Sequence, residues 1–248
     1  MKKRIQFLNT FVDNLSMSET IEIIDNTISR QENLQHVVVN AGKIVDMQKD
    51  NDLRKSVNSC NLINADGQSV VWASHFLGLP LKERVAGIDL MENLVELAFK
   101  NNYKAYFLGA KEEVVKKVVD IYSKKYSKDI IAGYRNGYFS KEQEKDIARD
   151  IADSKAQLLF VAITSPKKEI FLYQNRDILS NVNFTMGVGG SFDVISGFVK
   201  RAPLWMQKTG LEWFYRFLQE PKRMWKRYLK GNTKFIFLVI NERLKRVV

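Results

Sequence analysis

Cysteine is nearly absent. Cys60 stands alone in 248 residues, which excludes an internal disulfide and argues against a cysteine-based metal site. Histidine is almost as scarce, and His36 and His75 are not at metal-ligand spacing. Both read as structural, His36 opening an apolar run and His75 lying in a helical stretch. With four prolines and no low-complexity stretch, no flexible linker divides the chain. Long hydrophobic runs are missing too. The longest late run, residues 235–240, falls far short of the ~20 residues of a membrane-spanning helix. The first 14 residues have a basic start but no apolar stretch long enough for a secretory signal. The expectation is a cytoplasmic protein whose contact with a membrane is peripheral.

Net charge is also missing from most of the chain, and its location is the most informative feature. Residues 200–248 hold 13 Lys or Arg against 3 Glu, a balance of +10, while the whole chain is +11. Three of the four tryptophans, Trp205, Trp213 and Trp225, lie in the same tail. A near-neutral body followed by a basic, aromatic tail points to an anionic and partly apolar partner. A membrane surface or a lipid-linked phosphate fits best, and nucleic acid is the competing reading. Pro221 is placed to start a helix in which Arg223, Lys226, Arg227 and Lys230 share one face, with Gly231 placed to stop it.

With 45% hydrophobic residues the body can bury a core. Short apolar runs at 37–39, 62–63, 105–108, 158–163 and 184–186 read as buried strands of a mostly parallel sheet. Residues 5–8 and 11–12 read as a small hairpin. Helical segments separate the strands. Ser16 with Glu19 opens one that runs to Ser29, residues 112–126 carry an amphipathic face, and Ser140 with Gln143 opens another to about Ala152. The fold expected is α/β, a Rossmann-like sheet with helical crossovers over 1–199, followed by a helical basic appendage over 200–248.

In such sheets ligands sit beyond the carboxyl ends of the strands. The loops to inspect are 40–43, 64–67, 109–111, 164–169 and 187–193. Asp66, between a strand end and Gly67, can accept a proton from an attacking hydroxyl; on the tetrapeptide alone, capping the next helix is the simpler reading. Ser165 and Pro166 look like an N-cap and first helical residue, with Lys167 and Lys168 in the first turn opposing the helix dipole. Either the lysines point to solvent or a bound phosphate relieves them. Gly187-Val188-Gly189-Gly190 lacks the third glycine of a dinucleotide fingerprint, but suits a tight turn where a ligand approaches backbone, as does Gly109 after its strand. Asp193 follows in the first helical turn. Asp50-Asn51-Asp52 matches a metal-binding D-x-D pattern, but its polar setting reads as a helix end or surface turn.

Taken in order, Asn40, Asn64-Ala65-Asp66-Gly67, Glu83-Arg84-Val85-Ala86-Gly87-Ile88-Asp89, Phe107-Leu108-Gly109, Ser165-Pro166-Lys167-Lys168-Glu169, residues 187–193, Lys200-Arg201-Ala202-Pro203 and Gly210-Leu211-Glu212-Trp213 form a set. Tyr215-Arg216 and Glu220-Pro221-Lys222-Arg223 complete it. The set resembles the WecG/TagA/CpsF family of bacterial glycosyltransferases over nearly the whole chain. The resemblance implies inverting, metal-independent and cofactor-free transfer of a sugar from a UDP-sugar to a lipid-diphosphate-linked N-acetylglucosamine, serving a cell-surface polymer such as teichoic acid. It places the catalytic base on Asp66, donor-pocket residues on Asn40 and Asp193, and diphosphate-stabilising cations on Arg216, Arg223 and Lys226. It also implies that the appendage completes the site at the inner face of the cell membrane. Lys168, Gly109, Gly187 and Gly189 join the expected substrate contacts. Val38 and Lys168 depart from the family's frequent Thr and Gln, which leaves the donor sugar least determined. Self-association off the membrane is left open. The alternatives are a nucleic-acid-binding protein using the basic tail and a nucleotide-sugar oxidoreductase using the loop at residues 187–190.

Overall fold

The chain opens with the expected hairpin, β1 (Arg4–Phe7) and β2 (Thr10–Asp13), in antiparallel register with Ile5 opposite Val12. Residues 4–219 and 221–247 are described in this computed structural model, and the side chains of Lys208, Arg216, residues 222–230 and Val247 lie outside that description. The hairpin is fastened to the body by the fully buried Asp13. Its carboxylate meets Arg4 at 2.8 Å and accepts a hydrogen bond from the Ile63 backbone N–H at 2.8 Å.

The apolar runs become β3 (Leu34–Val39), β4 (Leu62–Ala65), β5 (Ala105–Gly109), β7 (Leu158–Ala162) and β8 (Phe184–Gly187). With β6 (Ile131–Arg135) they form one six-stranded sheet in the order β4-β3-β8-β7-β5-β6, every pair parallel. The α/β expectation holds. Sequence reading missed β6 for a physical reason. It is an edge strand, only half buried, and it carries Gly133 where a side chain would strike the Tyr106 ring, so it has no apolar run to detect.

Helices cover both faces of the sheet. They are α1 (Met17–Ser29), α2 (Ala41–Asp46), α3 (Asn51–Asn58), α4 (Gln68–Phe76), α5 (Gly87–Asn101), α6 (Glu112–Lys125), α7 (Glu144–Asp153) and α8 (Lys167–Gln174). Ser16 and Glu19 form a full capping box on α1, and Ser140 with Gln143 form one on the 3₁₀ turn that leads into α7. Strand alternation sorts the core. Val38, Leu62, Phe107, Phe160 and Met186 face α1, α5 and α6, while Val37, Val39, Ile63, Leu108 and Val161 face the opposite layer. Each fully buried side chain of this size contributes about 1.5–3 kcal/mol.

After β8 come α9 (Ser191–Ile195), α10 (Leu204–Lys208), α11 (Glu212–Gln219) and α12 (Pro221–Val247). The helix starting at Pro221 does not stop at Gly231, as the sequence led us to expect; it continues for 27 residues. A glycine inside a helix costs about 1 kcal/mol. Here the cost is outweighed by burial of Phe235 and Val239 in the core beside α2, with the Phe235 ring 6.5 Å from that of Phe7. Among the described residues no helix is long and apolar enough to cross a membrane.

Candidate functional site

A cleft of about 290 Å³ lies over the carboxyl ends of β4, β3 and β8 and is roofed by residues that follow β8. It is near the lower end of ordinary ligand-site volumes. Its floor is built from strand ends that cannot continue. Beyond Val39, Asn40 turns out of the sheet in an extended conformation, and its Oδ1 accepts the Lys43 backbone N–H at 3.0 Å, capping α2. Beyond Ala65, the Asp66 backbone N–H bonds the Val39 carbonyl at 2.9 Å, which holds the two loops together.

The Asp66 side chain does not cap α4, where Gly67 takes the cap position with no side-chain bond. Instead, Asp66 Oδ1 accepts from the Gly87 N–H at the start of α5, at 3.1 Å. The capping reading of Asp66 is therefore corrected: the carboxylate reaches across to the next helix and lines the cleft. Burial pushes its pKa up. Arg84, the Gly87 N–H and Lys43 pull it down, Glu212 pushes it up, and the net direction is upward. Above its ordinary range, a carboxylate is a better proton acceptor.

On the β8 side, Gly187 and Gly190 line the cleft, and Gly189 turns the chain with φ +54°. The dinucleotide reading of this loop finds no support in the topology. The helix that follows, α9, has five residues, and among the described residues no strand follows it to complete a βαβ unit. Gly189 and Asp193 sit next to lining residues without lining the cleft themselves; the Asp193 carbonyl accepts the Val199 N–H at 2.9 Å.

Two expected contacts lie elsewhere. Gly109, at φ +130°, is packed so tightly that an added Cβ would fall 2.5 Å from the Ala162 backbone. Its glycine is required by that approach, not by a cleft surface. Gly109→Ala should cost at least about 2 kcal/mol and lower the melting temperature by roughly 4–8 °C, as a thermal melt will show. Lys168 turns inward rather than toward the cleft. Ser165 is not the cap of α8; Pro166 occupies that position after a cis peptide, and no side chain caps the helix. Lys167 is exposed, whereas Lys168 is buried with its Nζ 2.7 Å from Glu169 Oε1. Lys43 Nζ reaches the same oxygen at 2.8 Å and donates to the Val38 carbonyl at 2.7 Å. Burial alone would raise the Glu169 pKa, but the two ammonium groups prevail and bring it to about 2. This Lys43–Glu169–Lys168 group carries net +1 under the floor, and the Lys168 stem lies directly against Gly187.

The roof brings in residues whose motifs were visible in the sequence but carried no role there. Arg84 Nη2 meets Glu212 Oε2 at 2.6 Å, and Arg201 Nε approaches Glu212 Oε1 at 3.5 Å. Arg201 also pairs with Asp89 at 2.6 Å. Gln219 Nε2 donates to the Lys200 carbonyl at 3.0 Å. Arg84 and Glu212 lie 128 positions apart, so no local pattern links them; the one local signal was a charged pair, Glu83-Arg84, breaking an apolar approach to α5. The backbones of Arg216, Arg223 and Lys226 lie in α11 and α12, and their side chains are outside the described residues.

Asp50 caps α3 by accepting the Leu53 N–H at 2.9 Å, which accounts for the D-x-D stretch as a helix start. Among the described residues no group of three His, Cys, Asp or Glu is placed to hold a metal ion. His36 is buried in β3, its Nε2 2.9 Å from Asn64 Oδ1, in keeping with a structural role.

Comparison with known proteins gives a consistent result. The sequence model of the Glycosyl transferase WecG/TagA/CpsF family matches residues 5–247. A Bacillus subtilis (strain 168) protein named N-acetylglucosaminyldiphosphoundecaprenol N-acetyl-beta-D-mannosaminyltransferase is 39% identical over 194 residues, covering 78% of this chain and 74% of its own. A Bacillus spizizenii (strain W23) protein of the same name is 37% identical over 173 residues, covering 70% of this chain and 66% of its own.

Proposed function

Because the chain belongs to the WecG/TagA/CpsF family of glycosyltransferases, we propose that it moves N-acetylmannosamine from a UDP donor to the N-acetylglucosamine of a lipid-diphosphate acceptor, in synthesis of a cell-surface polymer such as teichoic acid. The donor and acceptor follow the names of the two Bacillus relatives. Their names specify a β linkage, which from an α-linked nucleotide sugar requires inversion. The observation that carries the reading is the position of Asp66. It is a carboxylate at a strand end, facing a cleft and held by one backbone N–H, with its basicity raised by burial.

In this mechanism the acceptor hydroxyl attacks the anomeric carbon from the face opposite UDP. Asp66 takes the hydroxyl proton as the new bond forms and the bond to the diphosphate breaks. Asn40 and the backbone around Gly187, Gly189 and Gly190 cradle the donor, with Asp193 beside them. The charge growing on the leaving diphosphate is met by cations, so no metal is needed. Arg84, Lys200 and Arg201 line the cleft, and Arg216, Arg223 and Lys226 from the appendage join them. Preorganised charges of this kind are the usual main source of rate enhancement. Lys168 acts through the floor, as part of the net +1 group beneath Gly187.

Residues 1–199 serve as the catalytic core and 200–248 as the cover, acting at the inner face of the cell membrane. Exposed Leu204, Trp205 and Trp213, and exposed Ile236, Phe237 and Leu244 on α12 with Lys234, Lys245 and Arg246, suit contact with anionic headgroups. The test offers UDP-N-acetylmannosamine and other UDP-sugars to the full-length protein with a soluble lipid-diphosphate N-acetylglucosamine analogue. UDP release with a β-linked disaccharide, read by NMR, is expected. Transfer of another sugar would overturn only the donor assignment; no transfer from any UDP-sugar would overturn the reaction.

A further inference from the structure

The Asp66 carboxylate and the Arg84 guanidinium line the same cleft, yet they are not paired. Asp66 Oδ1 takes the Gly87 N–H. Arg84 is drawn the other way, to Glu212 at 2.6 Å and to the Gln207 carbonyl at 3.5 Å, both of which belong to the segment after β8. Arg84 Nε is buried with no hydrogen-bond partner among the described residues, so the guanidinium is not fully committed. Glu212 opens α11, and its second neighbour, Arg201, is shared with Asp89 at 2.6 Å and Glu92 at 3.8 Å on α5. With Arg201 held by those carboxylates, the closest cation to Glu212 among the described residues is Arg84.

We propose that Glu212 is a positioning residue: by engaging Arg84 from the appendage side, it keeps that cation off the Asp66 carboxylate, so that Asp66 works as a base only while α11 is docked on the core. The device joins cover to chemistry. With α11 lifted, Arg84 loses its carboxylate and turns to the nearest remaining one, which stabilises ionised Asp66 and weakens it as a proton acceptor. With α11 in place, the negative charge of Glu212 offsets Arg84. The charged groups that act on Asp66 are Arg84 from the loop before α5, Lys43 from α2 beneath, and Glu212 from α11 above, together with the Gly87 N–H. Of these, Glu212 is the one that belongs to the appendage. A soluble form whose cover opens would in this way hold its base in a weakened state, which limits wasteful hydrolysis of the donor.

The inference rests on Asp66 being the base, so the test separates the two claims. The pH profile of kcat/KM is measured on the full-length protein and its variants, and the Asp66 carboxyl is titrated by ¹³C NMR without substrate, its signal assigned by its loss in Asp66→Asn. Glu212→Gln should lower the rate and move the acidic limb, and the Asp66 titration with it, down by about one pH unit. Arg84→Met should move both up. Glu212→Asp, which keeps the charge, should return the limb toward that of the parent protein. A rate loss in Glu212→Gln with the limb and the titration unmoved would make Glu212 a structural contact only and overturn the proposal. Near-normal turnover in Asp66→Asn would overturn the base assignment, and the carboxyl titration would still report whether Arg84 and Glu212 act on Asp66 with opposite sign. If Glu212→Gln does not fold, Arg84→Met decides the matter: an upward shift of the limb and of the Asp66 titration is expected, and a titration unmoved from that of the parent protein overturns the proposal.

Discussion

Asp66→Asn should lower turnover by ~10²-fold or more and leave the fold intact. Asparagine has nearly the same shape, and its Oδ1 can still accept the Gly87 N–H at the start of α5. What it cannot do is carry away the acceptor's proton. The stability effect has a definite sign. The folded protein raises the Asp66 pKa, chiefly by burial. A carboxyl whose folded pKa lies above its unfolded value costs stability once pH exceeds that unfolded value, because the folded state resists ionising it. The neutral variant escapes that cost, so above the carboxylate range it should melt at the same temperature as the parent protein or higher. Activity and stability then move in opposite directions, as expected where a site is kept strained for function. Steady-state turnover and a thermal melt at neutral pH check both halves. Turnover close to that of the parent protein would remove Asp66 from the base role. Lost turnover with a much lower melting temperature would make the residue structural.

The parts of this fold that were legible in the sequence are those written in local periodicity. Buried parallel strands appear as unbroken apolar runs, and the capping boxes at Ser16 and Ser140 mark helix starts whatever lies around them. The strand-end rule then led to the loops at Asn40, Asp66 and Gly187, which the fold does bring to one cleft. What the sequence did not reveal depends on contacts between distant positions. Gly231 looked like a stop because the burial of Phe235 against Phe7 is invisible from position 231. Lys168 looked like an anion ligand because its partner Glu169 reads as an ordinary first-turn acid until Lys43 is brought to the same oxygen. Gly109 looked like a ligand-side glycine because the Ala162 backbone that crowds it lies on another strand. Arg84 and Glu212 belong to different ends of the chain altogether. In each case the local signal was real, and a long-range contact decided what it meant.

Glu169→Gln should destabilise the protein more than Gly109→Ala does. Glu169 is 4% exposed and holds two buried ammonium groups, those of Lys43 and Lys168. Removing its charge leaves both cations buried without their counter-charge, and breaking such a group from one side typically costs about 3–5 kcal/mol. The pKa gives a consistent scale. A carboxyl brought from 4.5 to about 2 on folding contributes about 3 kcal/mol. Because the folded value is the lower one, this contribution is fully present above pH ~4.5 and is lost as pH falls toward about 2. Denaturant titrations across that window should show the parent protein losing stability steeply, and Glu169→Gln, already weakened at neutral pH, losing less. Lys168→Gln is the informative control. It leaves Glu169 paired with Lys43, which is held by the Val38 carbonyl, so its cost should be smaller. The cleft should register the difference as well. Lys43 anchors α2 behind Asn40, and the Lys168 stem supports Gly187, so loss of the shared carboxylate disturbs both walls of the donor site. A weaker donor affinity in Glu169→Gln than in Lys168→Gln is therefore expected, and equal stability and affinity in the two variants would show that the carboxylate is not the keystone of the floor.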